Sequence, residues 1–351
     1  MAKKILACLL WLMVSAPLCF CQEIRIRILS PFHPTKLELR TSEAQALVID
    51  ASGERFVLEP DSTEDTAQIN IVGGQLLLTL SGQRHRATDI RVTGRTGAAD
   101  FVLAVPGKVS RRYFGALDVA VKDAELEPIV TMDLETAVAS VVQAETEAEM
   151  PLEALKAQAV VTRSYFVATK GRHKGFDFCD LAHCQVLRGA PSPGSPAERA
   201  AAQTRGLVLR YGGTAVAAMF TRSCAGRTRT PAQDGLPTNS YPYFAVVCDY
   251  CAKRPFRWTR GLSPTDAAVA SRGENGRLAL CRRLGWNAVP SDDFNAHREG
   301  TQVILEGEGQ GHGIGLCQRG AAAMAGSGAD FRAILIHYFP NTRILNSPTA
   351  P

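Results

Sequence analysis

The sequence predicts an α+β protein, with a β-rich N-terminal module ahead of a larger domain of mixed strands and helices. Two observations carry this prediction. Short apolar segments punctuated by glycine recur from residue 22 to about residue 97, starting with the alternating Glu23-Ile-Arg-Ile-Arg-Ile. At Leu134 the apolar period then changes from strand-like to helical. The 351 residues are 46% hydrophobic and 21% charged, which excludes a disordered or fibrous chain and suggests about two domains.

In chain order, Lys3 and Lys4 precede an apolar run from Ile5 to Val14 and the small residues Ser15 and Ala16, the layout of a secretory signal peptide. The expected cut follows Cys21, so that residues 1–21 are removed; an uncleaved anchor is the alternative, because Cys19-Phe-Cys21 is an unusual cleavage site. The run is short for a membrane span. Residues 22–100 then read as the β-rich accessory region, with Leu37, Leu39, Ala46 to Ile49, Phe56 to Leu58, Ile69 to Val72 and Leu76 to Leu80 as strand material. The same region could instead be the edge of one larger domain.

Residues 101–345 form the second domain, and 346–351 a tail. Strands continue through Phe101 to Val105 and Arg111 to Val119. Leu134, Val138, Val141 and Val142 then make the apolar stripe of a helix that Asp133 is placed to cap. A second helix starts near Pro151, carries Glu153 in its first turn and Leu152, Leu155, Ala159 and Phe166 on one face, and ends at Gly171. Further on, Ala197 to Arg205 reads as a helix, Gly206 to Tyr211 and Thr214 to Phe220 as strands, and Gln318 to Ala325 and Phe331 to Tyr338 as helices.

The formal charge of +5 falls by two if Lys3 and Lys4 are cleaved, which is too little to demand nucleic acid or a membrane surface as partner. Of the ten cysteines, Cys179, Cys184, Cys224, Cys248, Cys251, Cys281 and Cys317 would remain. An odd number in an oxidising compartment leaves at least one free or bound to metal.

Three groups of residues could carry chemistry. His173, Cys179, His183 and Cys184 offer two imidazoles and two thiols within twelve residues, a donor set suited to a closed tetrahedral zinc site. A Cys179 to Cys184 disulfide is the alternative. Cys248-Asp-Tyr-Cys251 lacks the setting of a redox fold, so a disulfide or an auxiliary metal clip is expected before oxidoreductase activity. Gly307 to Gly315 is a glycine-dense loop without the arrangement of a dinucleotide fingerprint; its backbone could approach a flat ligand closely.

Five segments occur together in one order: Val141-Val-Gln-Ala-Glu, Pro151-Leu-Glu-Ala-Leu-Lys-Ala-Gln-Ala-Val-Val-Thr-Arg-Ser-Tyr, the Phe176 to Gly189 segment with its Cys-Asp-Leu-Ala-His-Cys, Ser223-Cys-Ala-Gly-Arg-Thr, and Gly311-His-Gly-Ile-Gly-Leu-Cys-Gln-Arg-Gly-Ala. With them, the chain from Phe101 to Leu345 resembles the SpoIID/LytB family of bacterial cell-wall proteins. The resemblance implies a secreted or periplasmic protein acting on peptidoglycan glycan strands, as a lytic transglycosylase that leaves 1,6-anhydroMurNAc ends. The other role it implies is a non-catalytic amidase enhancer that works with another cell-wall hydrolase. It further implies zinc at the His173 cluster.

A lytic cleavage needs one carboxylic acid, not the pair used by most glycoside hydrolases. Glu145, Glu147, Glu149 and Glu153 compete for that place. In the family the glutamate is followed by Met-Pro, which points superficially to Glu149; its spacing after the Val-Val helix and ahead of Pro151 points to Glu145, where Thr146-Glu147 replaces the usual pair. Glu145 is therefore the expected catalytic residue. Arg163, Tyr165, Ser223, His312 and Gln318 are the expected substrate-binding residues. For Arg163 an ion pair with a nearby glutamate is the alternative, and for His312 a hydrogen bond that stabilises a turn.

Overall fold

The computed structural model describes residues 22–42, 45–60, 66–182, 184–234, 241–285 and 287–347. The expected signal peptide and His183 lie outside the described residues, as do residues 348–351 of the expected tail.

The first third of the described chain is built of strands, with one 3-10 turn at Ser30–Phe32: β1 (Glu23–Arg27), β2 (Lys36–Thr41), β3 (Leu47–Ala51), β4 (Glu54–Leu58), β5 (Thr66–Val72), β6 (Gln75–Leu80), β7 (Gln83–Ala87), β8 (Asp89–Gly94), β9 (Ala99–Val105), β10 (Val109–Lys122) and β11 (Glu125–Asp133). Helices α1 (Leu134–Glu145) and α2 (Leu152–Thr169) follow, then β12 (Phe178–Cys179), α3 (Pro196–Gln203), β13 (Leu207–Tyr211), β14 (Thr214–Ala215) and β15 (Phe220–Thr221). The last part contains α4 (Asp249–Lys253), β16 (Arg257–Leu262), α5 (Pro264–Ala270), α6 (Glu274–Leu284), β17 (Phe294–Glu299), β18 (Gln302–Glu308), β19 (Leu316–Cys317), α7 (Gln318–Gly326), α8 (Phe331–Tyr338) and β20 (Arg343–Asn346). The architecture is α+β, as the sequence predicts.

Strands β1 to β12 make one curled sheet. The long β10 directs the curl: Val109 to Gly115 pairs with β9, Leu117 to Ala120 pairs with β8, and its second half also pairs with β11. The change of partner occurs beside Gly115, at φ 136°, where a Cβ would lie 2.1 Å from the Thr131 carbonyl oxygen. Only glycine allows the two strands to approach so closely there. The boundary expected at residue 100 falls inside β9, and β2 on one side of it pairs with β9 through Leu39 and Leu103.

The inner face of the curl, including Ile24, Ile26, Leu39, Ile49, Ile69 and Phe101, is buried together with Leu134, Val138, Val141 and Val142 of α1. Asp133 caps α1 as expected, accepting from the amides of Glu135 and Thr136. Helix α2 adds Leu155, Ala159 and Phe166 to this core, while Ala154, Ala157, Val160 and Val161 on its other side enter a second core with Val216, Leu316, Ile334 and Leu335. A helix buried on every side is normally apolar all round, yet α2 also encloses Gln158, Thr162, Arg163 and Ser164. A third, smaller core around Trp258, Leu280 and Leu305 packs the β16–β18–β17 sheet against α5 and α6.

The strand expected from Thr214 to Phe220 is broken. After β14 the chain turns, with the Ala218 amide donating to the Val216 carbonyl, and β15 then pairs in parallel with β19. This change of partner buries Val216 and Ala218 in the second core.

Candidate active site

Glu145 is the last residue of α1, and the chain turns outward at once: Thr146 is extended, with its hydroxyl returning to the Val142 carbonyl at 2.6 Å. The Glu145 side chain is half-buried, and its Oε1 accepts the Val186 amide at 2.9 Å. Its own carbonyl accepts from Gln318 Nε2 at 3.1 Å, and the same amide group lies 3.4 Å from Gln158 Oε1. Burial raises the Glu145 pKa above the ordinary carboxylate range, against the opposing pull of the Val186 amide and of the Arg188 and Arg222 guanidiniums. Its place at the negative end of a helix dipole acts in the same upward direction.

The other three glutamates are committed elsewhere or open to water. Glu147 is exposed and accepts from Arg222 Nη2 at 2.7 Å, so its charge is balanced by a surface cation. Glu149 is exposed. Glu153 pairs with Lys156 at 2.6 Å and accepts the Phe331 amide at 2.9 Å, contacts that push its pKa down. Glu145 and Glu153 are thus driven in opposite directions by their surroundings.

Of the expected substrate-binding residues, Gln318 stands beside Glu145 and the others do not share that place. Arg163 is fully buried, its guanidinium forked onto Glu135, with Nε to Oε1 at 2.8 Å, and donating to the carbonyls of Leu207 and Ala201. Glu135 lies ten residues from Glu145 on α1, roughly 15 Å of helix. Arg163 therefore ties α1 and α2 to α3 and β13, and it pairs with a distant glutamate, not one of the four near Pro151. Tyr165 is buried against Phe166 and Phe178, takes a hydrogen bond from Arg172, and has its pKa pushed up to about 12, chiefly by burial. Ser223 is buried, with its Oγ 3.6 Å from Cys251 Sγ and its main chain paired to Gln310. His312 is half-buried at a shallow pocket that also includes Arg229, Asp292 and Glu308, and its Nδ1 accepts the Ile314 amide at 3.0 Å, the turn-stabilising bond.

Three of the four expected metal donors, His173, Cys179 and Cys184, converge beside this site. Cys179 lies on β12, and the Cys184 amide closes a turn onto the Leu181 carbonyl. His173 Nε2 is 3.3 Å from Cys184 Sγ, the two sulfurs are 3.6 Å apart, and all three donor atoms lie within 4.8 Å of one another. Cys184 is two residues before Val186, so the turn that gathers these donors also presents the amide held by Glu145.

Residues 122–211, which run from the end of β10 to the end of β13 and contain both Glu145 and this cluster, match the family model described as SpoIID, stage II sporulation protein. The stage II sporulation protein D of Bacillus subtilis is 26% identical over 265 residues, covering 62% of this chain and 76% of its own length. Over residues 122–211 the chain is similar to the SpoIID family. An uncharacterized protein of Brachyspira hyodysenteriae is 26% identical over 268 residues, covering 67% of this chain and 72% of that protein. The amidase enhancer of Bacillus subtilis is 24% identical over 285 residues, covering 58% of this chain but 39% of its own length. The SpoIID match ends at residue 211, so Gln318 lies beyond it; the fold brings it to Glu145 from α7.

Proposed function

We propose that the chain is a secreted peptidoglycan lytic transglycosylase in which Glu145 serves as both acid and base. The observation that carries this reading is the Glu145 carboxyl itself: half-buried at a helix C-terminus, held by the Val186 amide, and biased toward its protonated form. Such a group can give its proton to the oxygen of the MurNAc–GlcNAc bond as the bond from C1 to that oxygen breaks. The resulting carboxylate takes the proton of the muramic 6-hydroxyl as that oxygen bonds to C1, which closes the 1,6-anhydro ring and restores the acid. One carboxyl suffices, and the exposed Glu147, paired with Arg222, is not needed as a second.

In this reading His173, Cys179 and Cys184, with His183 as the fourth ligand, hold a structural zinc. Two thiols and an imidazole within 4.8 Å of one another fit that ion, and a full set of four ligands leaves no position for a reactive water. Zinc there would fix the turn that presents the Val186 amide.

Incubating the purified protein with denuded glycan strands and examining the products by mass spectrometry tests the proposal: 1,6-anhydromuramic ends are expected. Their absence across pH and metal conditions overturns it. The likeness to an amidase enhancer supports a second reading, a wall-binding protein that stimulates an amidase without cleaving glycan. Stimulation of a partner amidase by the Glu145→Gln variant as strongly as by wild type would favour it.

A further inference from the structure

Away from the His173 cluster, a second set of donors meets in the second core: Cys224, Cys248, Cys251 and Cys317, all buried, with the four sulfurs within 4.8 Å of one another. We infer that these four thiolates bind a zinc ion, a structural site separate from the His173 cluster. They come from three segments. Cys224 follows β15, Cys248 and Cys251 bracket the start of α4, and Cys317 ends β19 and caps α7.

The spacing suits a single ion. Zinc–sulfur bonds of about 2.3 Å in a tetrahedron place the sulfurs roughly 3.8 Å apart, and Cys251 Sγ and Cys317 Sγ are separated by 3.5 Å. An iron–sulfur cluster interposes its own atoms between the cysteines and demands a wider cage. The surroundings match those of bound thiolates: Tyr338 Oη donates to Cys248 Sγ at 3.3 Å, and Ser223 Oγ lies 3.6 Å from Cys251 Sγ. Binding releases the four thiol protons and leaves a net charge of −2, which these hydroxyls and the N-terminal end of α7 help to stabilise.

The backbone is shaped to the same end. Ala225 and Gly226, directly after Cys224, have φ of 56° and 98°, and a Cβ on Gly226 would lie 3.0 Å from Ala252 Cα, so the Cys224 turn and the Cys248 to Cys251 turn are pressed together. Gly320 has no room for a Cβ, which would stand 2.0 Å from Tyr338 Oη and 2.5 Å from Cys248 Sγ. Cys281, by contrast, lies apart in α6 with its thiol against the Val289 carbonyl. Cys317 immediately precedes Gln318, so the ion would clamp the end of α7 that touches Glu145.

The test is zinc content, measured on protein purified without chelator. A Cys248→Ser/Cys251→Ser variant is expected to hold one zinc per chain fewer than its parent, whatever the occupancy at His173. If that variant fails to fold, the parent decides: Cys224, Cys248, Cys251 and Cys317 should resist alkylation until a strong chelator removes zinc, then alkylate together. Equal zinc in variant and parent, disulfides among these four cysteines in the parent, or an alkylation pattern that chelation leaves unchanged overturns the inference. None of these readouts requires glycan cleavage, so they stand apart from the transglycosylase test.

Discussion

The amide of Val186 donates to Glu145 Oε1 at 2.9 Å, across 41 residues of sequence. This bond joins the end of α1 to the turn carrying Cys184, and it fixes one carboxylate oxygen. The amide favours the charged form, yet burial outweighs it, and the net direction of the pKa is upward.

Glu145→Gln is therefore expected to retain the fold and glycan binding while cleavage falls by at least about 100-fold, because the amide cannot deliver a proton. Glu149→Gln, at an exposed position, should cleave normally. Circular dichroism, strand pull-down and anhydromuramic product counts on the two variants check this; lost turnover in Glu149→Gln alone would show the wrong glutamate has been chosen.

Cleavage should depend on pH through the protonated fraction of Glu145. Its pKa is raised, so the basic limb of the rate profile should lie above the ordinary carboxylate value of 4.5. Arg222 lowers that pKa; replacing it by alanine removes a charge that favours the carboxylate and leaves Glu147 unbalanced, and both effects move the limb to higher pH. A limb that moves to lower pH in Arg222→Ala contradicts the assignment of the titrating group.

Arg163→Met should destabilise by about 3–5 kcal/mol in denaturant titration, since it strands Glu135 without its buried partner. Removing both charges in Arg163→Met/Glu135→Leu should recover a large part of that loss. Once folded, the double variant should retain its cleavage rate, because neither side chain reaches Glu145.

Cys184→Ser should lose zinc from the His173 site, lower the melting temperature and reduce cleavage as the Val186 turn loosens. A catalytic ion would instead show lost turnover with the melting temperature unchanged. Calorimetry and elemental analysis on the same preparation separate the two outcomes.

The parts of the site legible in sequence are those written in local pattern. Asp133 and the Leu134, Val138, Val141 and Val142 stripe mark α1, Pro151 marks the start of α2, and together they place Glu145 at a helix end, where the structure has it. Arg163 and Tyr165 read as cleft residues because an isolated amphipathic helix leaves one face free. Here α2 has no free face, and the partner of Arg163 lies 28 residues back in sequence. The four-cysteine cluster is hidden for a similar reason: Cys224 and Cys317 are 93 positions apart and meet only because β15 and β19 pair in parallel. The β16–β18–β17 sheet carries no clear alternation, since β17 is almost wholly exposed.

Helix α2 contributes side chains to two hydrophobic cores at once, one beneath the curled sheet and one beneath α7 and α8. Neither half can melt while α2 stays in register with the other. Unfolding should consequently register as one transition when followed from either side, by tyrosine signals near Tyr338 or by amide exchange in β2 and β9. The glutamate at the end of α1 and the glutamine at the start of α7 then keep or lose their mutual geometry together, in one abrupt step on heating.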